Sequence, residues 1–271
     1  MHAFITGCGS GFGLRLARRL VTEGHHVVAT DPVVDGLTER IGPSERLCVL
    51  PLDVRDGAAV SRVATEAEAF APIDTVVNNA GVAVFGTQEE VQLDAVADMF
   101  DVNALGSARV AQAFLPSLRS RRGTIVQLSS VAGRMVFPES GYYAATKYAV
   151  EAMMEALFQE TATFGVRVRL VEPGAFATRF QEHAEEASEP RSKTSPYVSA
   201  HSLWDARRER ALEPPQDPDL VVDAIVASLA DPAGFRRLIV GKDAVRILAR
   251  RDSMAPDLWS VAAAREVGFE G

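Results

Sequence analysis

The chain has 271 residues, of which 47% are hydrophobic, and its 28 basic and 36 acidic residues give a net charge of −8. This length and apolar content fit one large α/β core better than two domains. No basic block occurs, so nucleic acid is not expected as a partner, because binding phosphates needs a clustered basic surface. No apolar run reaches the ~20 residues that span a membrane, and no signal peptide precedes the first strand. With only Cys8 and Cys48 present, no disulfide framework is expected and a cytoplasmic location is predicted.

Short strand-like runs alternate with helical patterns along most of the chain. The first strand is predicted over residues 1–5, followed by a glycine-rich segment and an amphipathic helix over 14–21. Further strands are predicted over 26–30, 47–52, 73–77, 124–128, 166–171 and 238–240, and further helices over 57–70, 94–115, 143–164 and 219–229. Such alternation predicts an α/β fold with a Rossmann-type, doubly wound parallel sheet of about seven strands and helices on both faces.

The glycine-rich segment Thr6–Gly13 stands directly between the first strand and the first helix. A helix N-terminus in this position presents free backbone N–H groups to an anion such as a dinucleotide pyrophosphate. The spacing Gly-x3-Gly-x-Gly differs from G-x-G-x-x-G and lacks the Lys-Ser/Thr ending of the P-loop. Taken alone, the segment indicates either a cofactor site or an ordinary glycine-rich turn.

Four later segments follow in the order that this fold needs. The fourth strand ends in Asn78-Asn79-Ala80-Gly81, the fifth in Ser129-Ser130, a helix opens with Tyr143-x3-Lys147, and Pro173-Gly174-x3-Thr178 follows the sixth strand. With them, the chain resembles the short-chain dehydrogenase/reductase family in its single-domain form over about residues 1–240. Residues 79–82, 101–103 and 172–176 are most similar to the hydroxysteroid and retinol dehydrogenase branch. The resemblance implies an NAD-dependent oxidoreductase that interconverts a secondary alcohol and a ketone by hydride transfer.

Tyr143 and Lys147 lie four residues apart at a predicted helix start, so they share one face of that helix. An ammonium ~4 Å from the phenol, worth about 4 kcal/mol at an effective dielectric of 20, would lower the tyrosine pKa towards neutrality. That shift would make Tyr143 a usable general acid or base. The pair alone is also common as a surface pairing. Ser130, thirteen residues before Tyr143, favours the catalytic interpretation, since its hydroxyl could hold the substrate oxygen.

The resemblance places the family's catalytic residues on Asn103, Ser130, Tyr143 and Lys147, with none of them substituted. It implies that Tyr143 exchanges the proton and that Ser130 orients the carbonyl or alcohol. It also implies that Lys147 lowers the pKa of Tyr143 and binds the nicotinamide ribose, while Asn103 holds a water in the proton path. The alternative for Asn103 is that it satisfies backbone groups in its helix. Cys8, next to a helix N-terminus, is considered as a reactive thiol, but no His or second Cys supports that role.

Asp31 ends the second strand, 18 residues after Gly13, where an acid is expected to bond the adenosine ribose hydroxyls. Family members that use NADP carry Arg or Lys just before the second glycine or just after this strand, where this chain has Ser10 and Pro32. NAD is therefore the predicted cofactor, and the alternative for Asp31 is a turn-forming role. The resemblance implies further cofactor contacts at Gly7, Ser10, Gly11, Phe12, Gly13, Asp53, Val54, Asn79, Ala80, Gly81, Tyr143, Lys147, Pro173, Gly174, Phe176 and Thr178.

Residues 175–216 break the alternation, and their first part, 180–189, is acidic and helix-like. An insertion of this length predicts a substrate lid on a single NAD-binding domain over 1–271, the alternative being a disordered segment. The candidate substrate-pocket residues are Val82, Phe85, Arg134, Met135, Val136, Phe137, Tyr142, Phe180, Tyr197 and Trp204. Most are large and apolar, which indicates either a pocket for a hydrophobic alcohol or ketone or plain packing. Arg134 is either a ligand for a substrate carboxylate or a solvated surface residue.

No His/Cys ligand cluster occurs, so no metal is expected. The resemblance implies a homodimer or homotetramer formed through the helices predicted over 94–115 and 143–164, the second of which has a face of alanines at 144, 145, 149, 152 and 156. One alternative function is an NADP-dependent 3-oxoacyl or polyketide-type ketoreductase, which Asp31 opposes. Another is a non-catalytic dinucleotide-sensing protein, which the intact Ser130, Tyr143 and Lys147 oppose.

Overall fold

The computed structural model describes residues 1–180, 182, 184, 188, 192–212 and 214–265. Its strands are β1 (His2–Thr6), β2 (His26–Asp31), β3 (Leu47–Pro51), β4 (Thr75–Asn78), β5 (Thr124–Leu128), β6 (Arg167–Pro173) and β7 (Phe235–Val240). Its helices are α1 (Gly11–Thr22), α2 (Leu37–Ile41), α3 (Gly57–Phe70), α4 (Leu93–Phe100), α5 (Ser107–Arg121), α6 (Gly141–Thr161), α7 (Val198–Ala211), α8 (Asp219–Leu229), α9 (Lys242–Asp252) and α10 (Pro256–Arg265). Most of the acidic stretch predicted as helix-like over 180–189 lies outside the described residues, as does 266–271.

All seven strands are parallel and form one sheet in the order β3-β2-β1-β4-β5-β6-β7. The predicted doubly wound sheet is thereby confirmed. Its strand order reverses direction between β1 and β4, so the loops that leave these two strands diverge to opposite faces. In open α/β sheets a ligand binds in the crevice at that reversal, outside the carboxyl ends of the strands.

Both faces of the sheet are covered, which explains why the central strands are apolar along their whole length rather than alternating. On one face Val60 of α3, Phe114 of α5 and Met154 of α6 pack in a continuous buried cluster. On the other face Leu16 of α1 and Ile225 of α8 pack in a second cluster. The core thus holds the seven strand ends at fixed relative positions.

The helix predicted over 94–115 is divided by a π-helical segment, Asp101–Gly106, and continues to Arg121. This widened turn is stabilised at Gly106, where a Cβ would lie only 2.6 Å from the Cγ2 atom of Val54. Single π-helical turns inside α-helices are frequent at functional sites. Asn103 lies in the middle of this one. Among the helices built from described residues, none combines the length and apolarity needed to cross a membrane.

Candidate active site

The glycine-rich turn and the Asn-Asn-Ala-Gly segment meet at the reversal between β1 and β4. The side-chain amide of Asn79 donates to the carbonyl oxygens of Thr6 at 2.9 Å and Gly7 at 2.8 Å. A Cβ on Gly13 would overlap both the Gly7 carbonyl and this amide. Only glycine therefore lets α1 begin this close to β4. Asn79 thus holds the glycine-rich turn in place.

Asp31 lies against the same turn. Its carboxylate accepts hydrogen bonds from the backbone N–H of Gly9 at 2.7 Å and of Val33 at 3.2 Å. Arg40 of α2 donates to the Gly9 carbonyl oxygen at 2.7 Å, so a guanidinium and a carboxylate face one residue of the turn. Sequence reasoning missed Arg40, because α2 was not predicted and the contact spans 31 residues. Ser10 precedes α1 with extended backbone, and its side chain makes no capping hydrogen bond.

Next to the turn lies a cleft of about 680 Å³, lined on one side by Gly9, Ser10 and Gly11 and on the other by Thr178. The ring of Phe12 in α1 lies 5.7 Å from that of Phe176, after β6, in an edge-to-face contact. A helix N-terminus, an open cleft and an adjacent acid are the features that a dinucleotide needs. The residues present therefore fit such a cofactor.

The Pro173-Gly174 segment is fixed by two residues that sequence reasoning did not single out. The Asp243 carboxylate accepts from the backbone N–H of Ala175 at 2.7 Å and from the Gln216 amide at 2.6 Å. Gln216 also donates to the Ala175 carbonyl oxygen at 3.1 Å. A Cβ on Gly174 would overlap the Asp243 carboxylate. No local motif marks Asp243 or Gln216, because each acts through a contact of 27 residues or more.

Two other predicted cofactor residues stand beyond the end of β3. The carboxylate of Asp53 is engaged by Arg55, with 2.7 Å between the carboxylate and the guanidinium, and this hydrogen bonding lowers the pKa of Asp53. Val54 is buried and packs on Gly106. Val54 therefore supports the π-helical segment, whereas Asp53 remains partly exposed.

Tyr143 lies between two aromatic rings, with centroids 5.9 Å from Phe85 and 5.8 Å from Phe180. Its hydroxyl is hydrogen-bonded to Ser130. Burial raises the pKa of Tyr143 to about 12, and the bond to Ser130 opposes that rise. The expectation that Lys147 lowers this pKa is wrong for the chain by itself. The Lys147 Nζ atom lies 5.7 Å from the centroid of the ring and donates to the carbonyl oxygen of Leu128 at 3.0 Å.

Lys147 is itself buried, and burial lowers its pKa to about 8, against the opposing charge of Glu151 one helical turn away. Its Nζ atom would lie 3.7 Å from a Cβ on Gly81. The ammonium thus stands beneath the loop that follows β4. Tyr143, Ser130 and Lys147 are brought together as the sequence predicts, but the Lys147 ammonium is directed at the backbone carbonyl of Leu128.

Asn103 makes a closed set of hydrogen bonds in the π-helical segment. Its side chain accepts from the N–H of Val82 at 2.8 Å and donates to the Val82 carbonyl oxygen at 2.9 Å and to the Thr146 hydroxyl at 3.0 Å. These bonds tie the loop after β4 to the helix that carries Tyr143 and Lys147. The backbone groups that Asn103 satisfies belong to Val82 and not to its own helix, and its assignment to a water in the proton path stays a prediction.

The predicted pocket residues separate into two groups. Phe85 and Phe180 flank Tyr143, and Tyr142 lies nearby with its hydroxyl donating to the Gln88 carbonyl oxygen at 3.4 Å. Met135 packs instead in a buried cluster with Leu248 and Trp259 of the C-terminal helices. The second group consists of Met135, Phe137 and Trp204, which pack mainly on one another or on α9 and α10. The other three residues belong to neither group: Val82 and Val136 are exposed, and the Tyr197 hydroxyl donates to Glu89.

Both expectations for Arg134 are wrong. Its guanidinium pairs with the fully buried Glu172 at 3.4 Å and with Asp252 at 2.6 Å. Arg237 approaches both Glu172 and Glu151 at 3.2 Å. Burial, together with the charge of Glu151, raises the pKa of Glu172 to about 7. This ionic cluster lies behind the Pro173-Gly174 segment and was not anticipated, since its members come from distant segments.

Cys8 is fully buried and its thiol donates to the Ile5 carbonyl oxygen, while burial raises the pKa of the thiol. A reactive-thiol role is therefore unsupported. Among the described residues, no group of His, Cys, Asp and Glu could hold a metal ion.

The family model described as short chain dehydrogenase matches residues 1–189. The chain belongs to the short-chain dehydrogenase family. The rat protein named estradiol 17-beta-dehydrogenase 1 is 35% identical over 84% of this chain and 70% of its own length. Mouse retinol dehydrogenase 7 is 37% identical over 67% of this chain and 58% of its own length. These relatives place the chain on the hydroxysteroid and retinol dehydrogenase branch.

Solved structures of short-chain dehydrogenases are similar over nearly the whole chain. One from Streptomyces avermitilis has 32% identity and a TM-score of 0.82, covering 99% of both chains. One from Burkholderia phymatum in complex with NAD has 27% identity and a TM-score of 0.76, covering 92% of this chain and 91% of its own. A serine dehydrogenase complexed with NADP+ has 25% identity and a TM-score of 0.74, covering 88% and 94%. As a member of this family, the chain is an oxidoreductase that acts on hydroxyl or keto groups.

Proposed function

We propose that the chain is an NAD-dependent dehydrogenase that interconverts a hydrophobic secondary alcohol and its ketone, with Tyr143 as general acid or base. The observation that carries this proposal is that Tyr143 is flanked by Ser130, which lowers its pKa by hydrogen bonding, and by the buried Lys147, whose Nζ atom is 5.7 Å from the tyrosine ring. A bound nicotinamide dinucleotide supplies or accepts the hydride. Ser130 holds the substrate oxygen, and Tyr143 exchanges a proton with that same oxygen.

The electrostatics of the cofactor-free chain favour one protonation state. With a pKa near 12, the Tyr143 hydroxyl is protonated at neutral pH and suited to donate to a ketone. To accept a proton from an alcohol, it needs more positive charge than Lys147 provides in this arrangement. Lys147, with a pKa of about 8, is protonated at neutral pH and directed towards the loop around Gly81. This position supports its assignment to the nicotinamide ribose.

Asp31 supports NAD as the cofactor. The carboxylate that holds Gly9 lies at the end of β2, where the adenosine ribose is expected. A 2′-phosphate there would bring most of two negative charges against this carboxylate. Gly7, Ser10, Gly11 and Gly13 are assigned to the pyrophosphate, Asp53 and Val54 to the adenine side, and Asn79, Ala80, Gly81, Pro173, Gly174, Phe176 and Thr178 to the nicotinamide side.

A second candidate is an NADP-dependent ketoreductase, and Arg40 is the observation that favours it. Its guanidinium, 2.7 Å from the Gly9 carbonyl oxygen, is the type of group that binds a phosphate. However, Asp31 accepts from the N–H of the same Gly9, so any phosphate bound by Arg40 would also face a carboxylate. NAD therefore remains the preferred assignment.

A hydrophobic substrate is supported by the aromatic rings of Phe85 and Phe180 on either side of Tyr143. The proteins named estradiol and retinol dehydrogenases indicate large apolar alcohols as the first compounds to test. A panel of hydrophobic alcohols and ketones, assayed with each cofactor by absorbance at the NADH band, tests the proposal. Turnover of one such pair with NAD is the expected result. Dinucleotide binding without turnover of any compound would favour the non-catalytic alternative.

Residues 1–271 are proposed to form one NAD-binding domain with a lid over 175–216, acting in the cytoplasm as a homodimer or homotetramer. Partial or full exposure of Ala145, Ala149, Ala152 and Ala156 on α6 supports pairing with a second copy, whereas Ala144 is buried in the chain itself. Light scattering at micromolar concentration tests the assembly, and a stable monomer would contradict it.

A further inference from the structure

His201 of α7 is a buried histidine in contact with two carboxylates from two other segments. Its Nδ1 atom is hydrogen-bonded to Glu139, and its Nε2 atom lies 3.3 Å from the Oε2 atom of Glu90. Ser195 is 3.4 Å from the same Nε2 atom. Burying charge is costly unless it is paired, so this contact holds the three segments together. The segments are the lid, the loop after β4 and the loop before α6.

Both carboxylates belong to loops that adjoin Tyr143, Glu139 to the loop directly before α6 and Glu90 to the loop that carries Phe85. Glu139 stands four residues before Tyr143 in left-handed backbone, with φ of 60°, and its carbonyl oxygen accepts from the Gly86 N–H at 2.9 Å. Gly86 follows Phe85, whose ring contacts Tyr143. A displacement of Glu139 is therefore transmitted to both sides of the tyrosine.

Glu90 is held from its own loop by the Thr87 hydroxyl, which donates at 2.6 Å. Hydrogen bonds from Ser195 and Thr87 lower the pKa of Glu90, and His201 adds to this effect. The ring of Tyr197 also lies near His201, with its hydroxyl donating to Glu89 at 2.6 Å. The contacts of Ser195, Tyr197 and His201 with Glu89 and Glu90 thus join the segment at the start of α7 to the loop after β4.

Contact between α7 and the rest of the chain is concentrated on one stripe. Among the residues of α7 whose side chains are described, only His201 and Trp204 are buried. They lie three residues apart and so share one face of the helix. Trp204 packs on Phe137, with ring centroids 6.3 Å apart. Trp204 and Arg207 both contact the ring of Phe137, whereas the contact of His201 with Glu139 and Glu90 reaches the loops on either side of Tyr143.

We propose that His201 fastens the lid over the pocket at Tyr143 and thereby sets the affinity for substrate. It is a positioning residue, since it acts on Tyr143 and Phe85 only through Glu139 and Glu90. The inference rests on the proposed function in taking this pocket as the substrate site. Substrate affinity and lid opening are therefore measured separately.

The first experiment replaces His201 with leucine, a side chain that fills the slot without hydrogen bonds. We expect KM for the alcohol found in the panel to rise at least tenfold, with kcat changed less than about threefold and NAD affinity unchanged. Ser202→Ala, an exposed position on the same helix, is the matched control and should leave all three constants unchanged. Loss of kcat at constant KM would contradict a positioning role.

The second experiment does not depend on turnover. Amide hydrogen exchange of residues 198–211 should be faster in His201→Leu than in the wild type or Ser202→Ala, with β1, β4 and β5 unchanged. Should His201→Leu fail to fold, Glu90→Gln keeps the shape of the side chain and should produce the same exchange in weaker form. Wild-type exchange rates in folded variants would overturn the inference, even if the alcohol panel had identified no substrate.

Discussion

The cofactor side and the substrate side of the cleft are held together by different kinds of bond. On the cofactor side, the Asn79 amide and the Arg40 guanidinium donate to backbone carbonyl oxygens of Thr6, Gly7 and Gly9, and the Asp31 carboxylate accepts from the Gly9 N–H. The backbone of Thr6, Gly7 and Gly9 lies at or close to the end of β1, whose position the sheet fixes. The substrate side is held by side-chain contacts between loops, above all those of His201 and Trp204.

This difference in bonding predicts a rigid cofactor side and a substrate side that can open. Strand ends that are fixed by a parallel core give a rigid site, which suits a cofactor with constant shape. The proposed lid is held by separate side-chain contacts, such as those of His201, Tyr197 and Trp204, and a segment held in this way can open locally, which suits entry of a bulky substrate. Tyr143 lies between the cofactor side and the substrate side, on the first turn of α6. Its ring contacts Phe85 from the loop after β4 and Phe180 from the segment after β6.

The largest effect is expected from Tyr143→Phe, which tests whether chemistry is separable from cofactor binding. The hydroxyl handles the proton, so its loss should lower kcat about a thousandfold, roughly 4 kcal/mol of transition-state stabilisation. NAD affinity should stay within about tenfold, because the hydroxyl bonds Ser130 rather than the turn. Steady-state kinetics and NAD titration measure the two quantities. Tyr142→Phe is the matched control, and substantial residual turnover by Tyr143→Phe would contradict the proton-transfer role.

The cofactor side was largely predictable because its signals are local. Glycine spacing, the residues that end each strand and the four-residue step from Tyr143 to Lys147 are all read within short windows, and the sheet then brings them together. The strand positions follow from short apolar runs, and α3 and α8 have the bounds that were predicted.

What the sequence left out depends on long-range contacts. Arg169 is fully buried on β6, where its guanidinium donates to the carbonyl oxygens of Ser228 at 3.1 Å and Asp231 at 2.7 Å. Nothing in the local pattern of β6 indicates that these partners arrive some 60 residues later. The same holds for Arg134 with Glu172. The pKa of Tyr143 was predicted in the wrong direction because burial, which a helical spacing does not report, outweighs the hydrogen bond with Ser130.

A smaller effect, confined to the cofactor side, is expected at Asp31. We expect NAD to be preferred over NADP at least about a hundredfold in kcat/KM, some 2.7 kcal/mol, because the carboxylate repels a 2′-phosphate. Asp31→Ala combined with Pro32→Arg should narrow or reverse this preference, while KM for the alcohol stays unchanged. Arg40→Ala is the matched comparison at the same turn; it removes one bond to Gly9 for both cofactors, so it should lower the use of NADP more than that of NAD. Equal use of both cofactors by the wild type would refute the assignment.

The smallest effect concerns the free energy of unfolding, and it tests whether the ionic cluster around Glu172, directly before Pro173, responds to pH. Burial and the charge of Glu151 raise the pKa of Glu172 to about 7 from an ordinary value of 4.5, although Arg134 and Arg237 oppose the rise. The folded chain therefore keeps a proton on Glu172 that the unfolded chain loses near pH 4.5. This contribution to stability is fully present below pH 4.5 and is lost as pH rises to about 7.

Glu172→Gln carries the shape of the protonated acid at every pH, so it should remove this part of the pH dependence. Relative to the wild type, its free energy of unfolding should rise between pH 5 and 8, as measured by urea denaturation at several pH values. Glu155→Gln is the control, because Glu155 pairs with the same Arg237 but its own side chain is exposed to solvent. The same pH dependence in the wild type and Glu172→Gln would show that Glu172 is ionised throughout. In that case Arg134 and Arg237 would outweigh burial at Glu172.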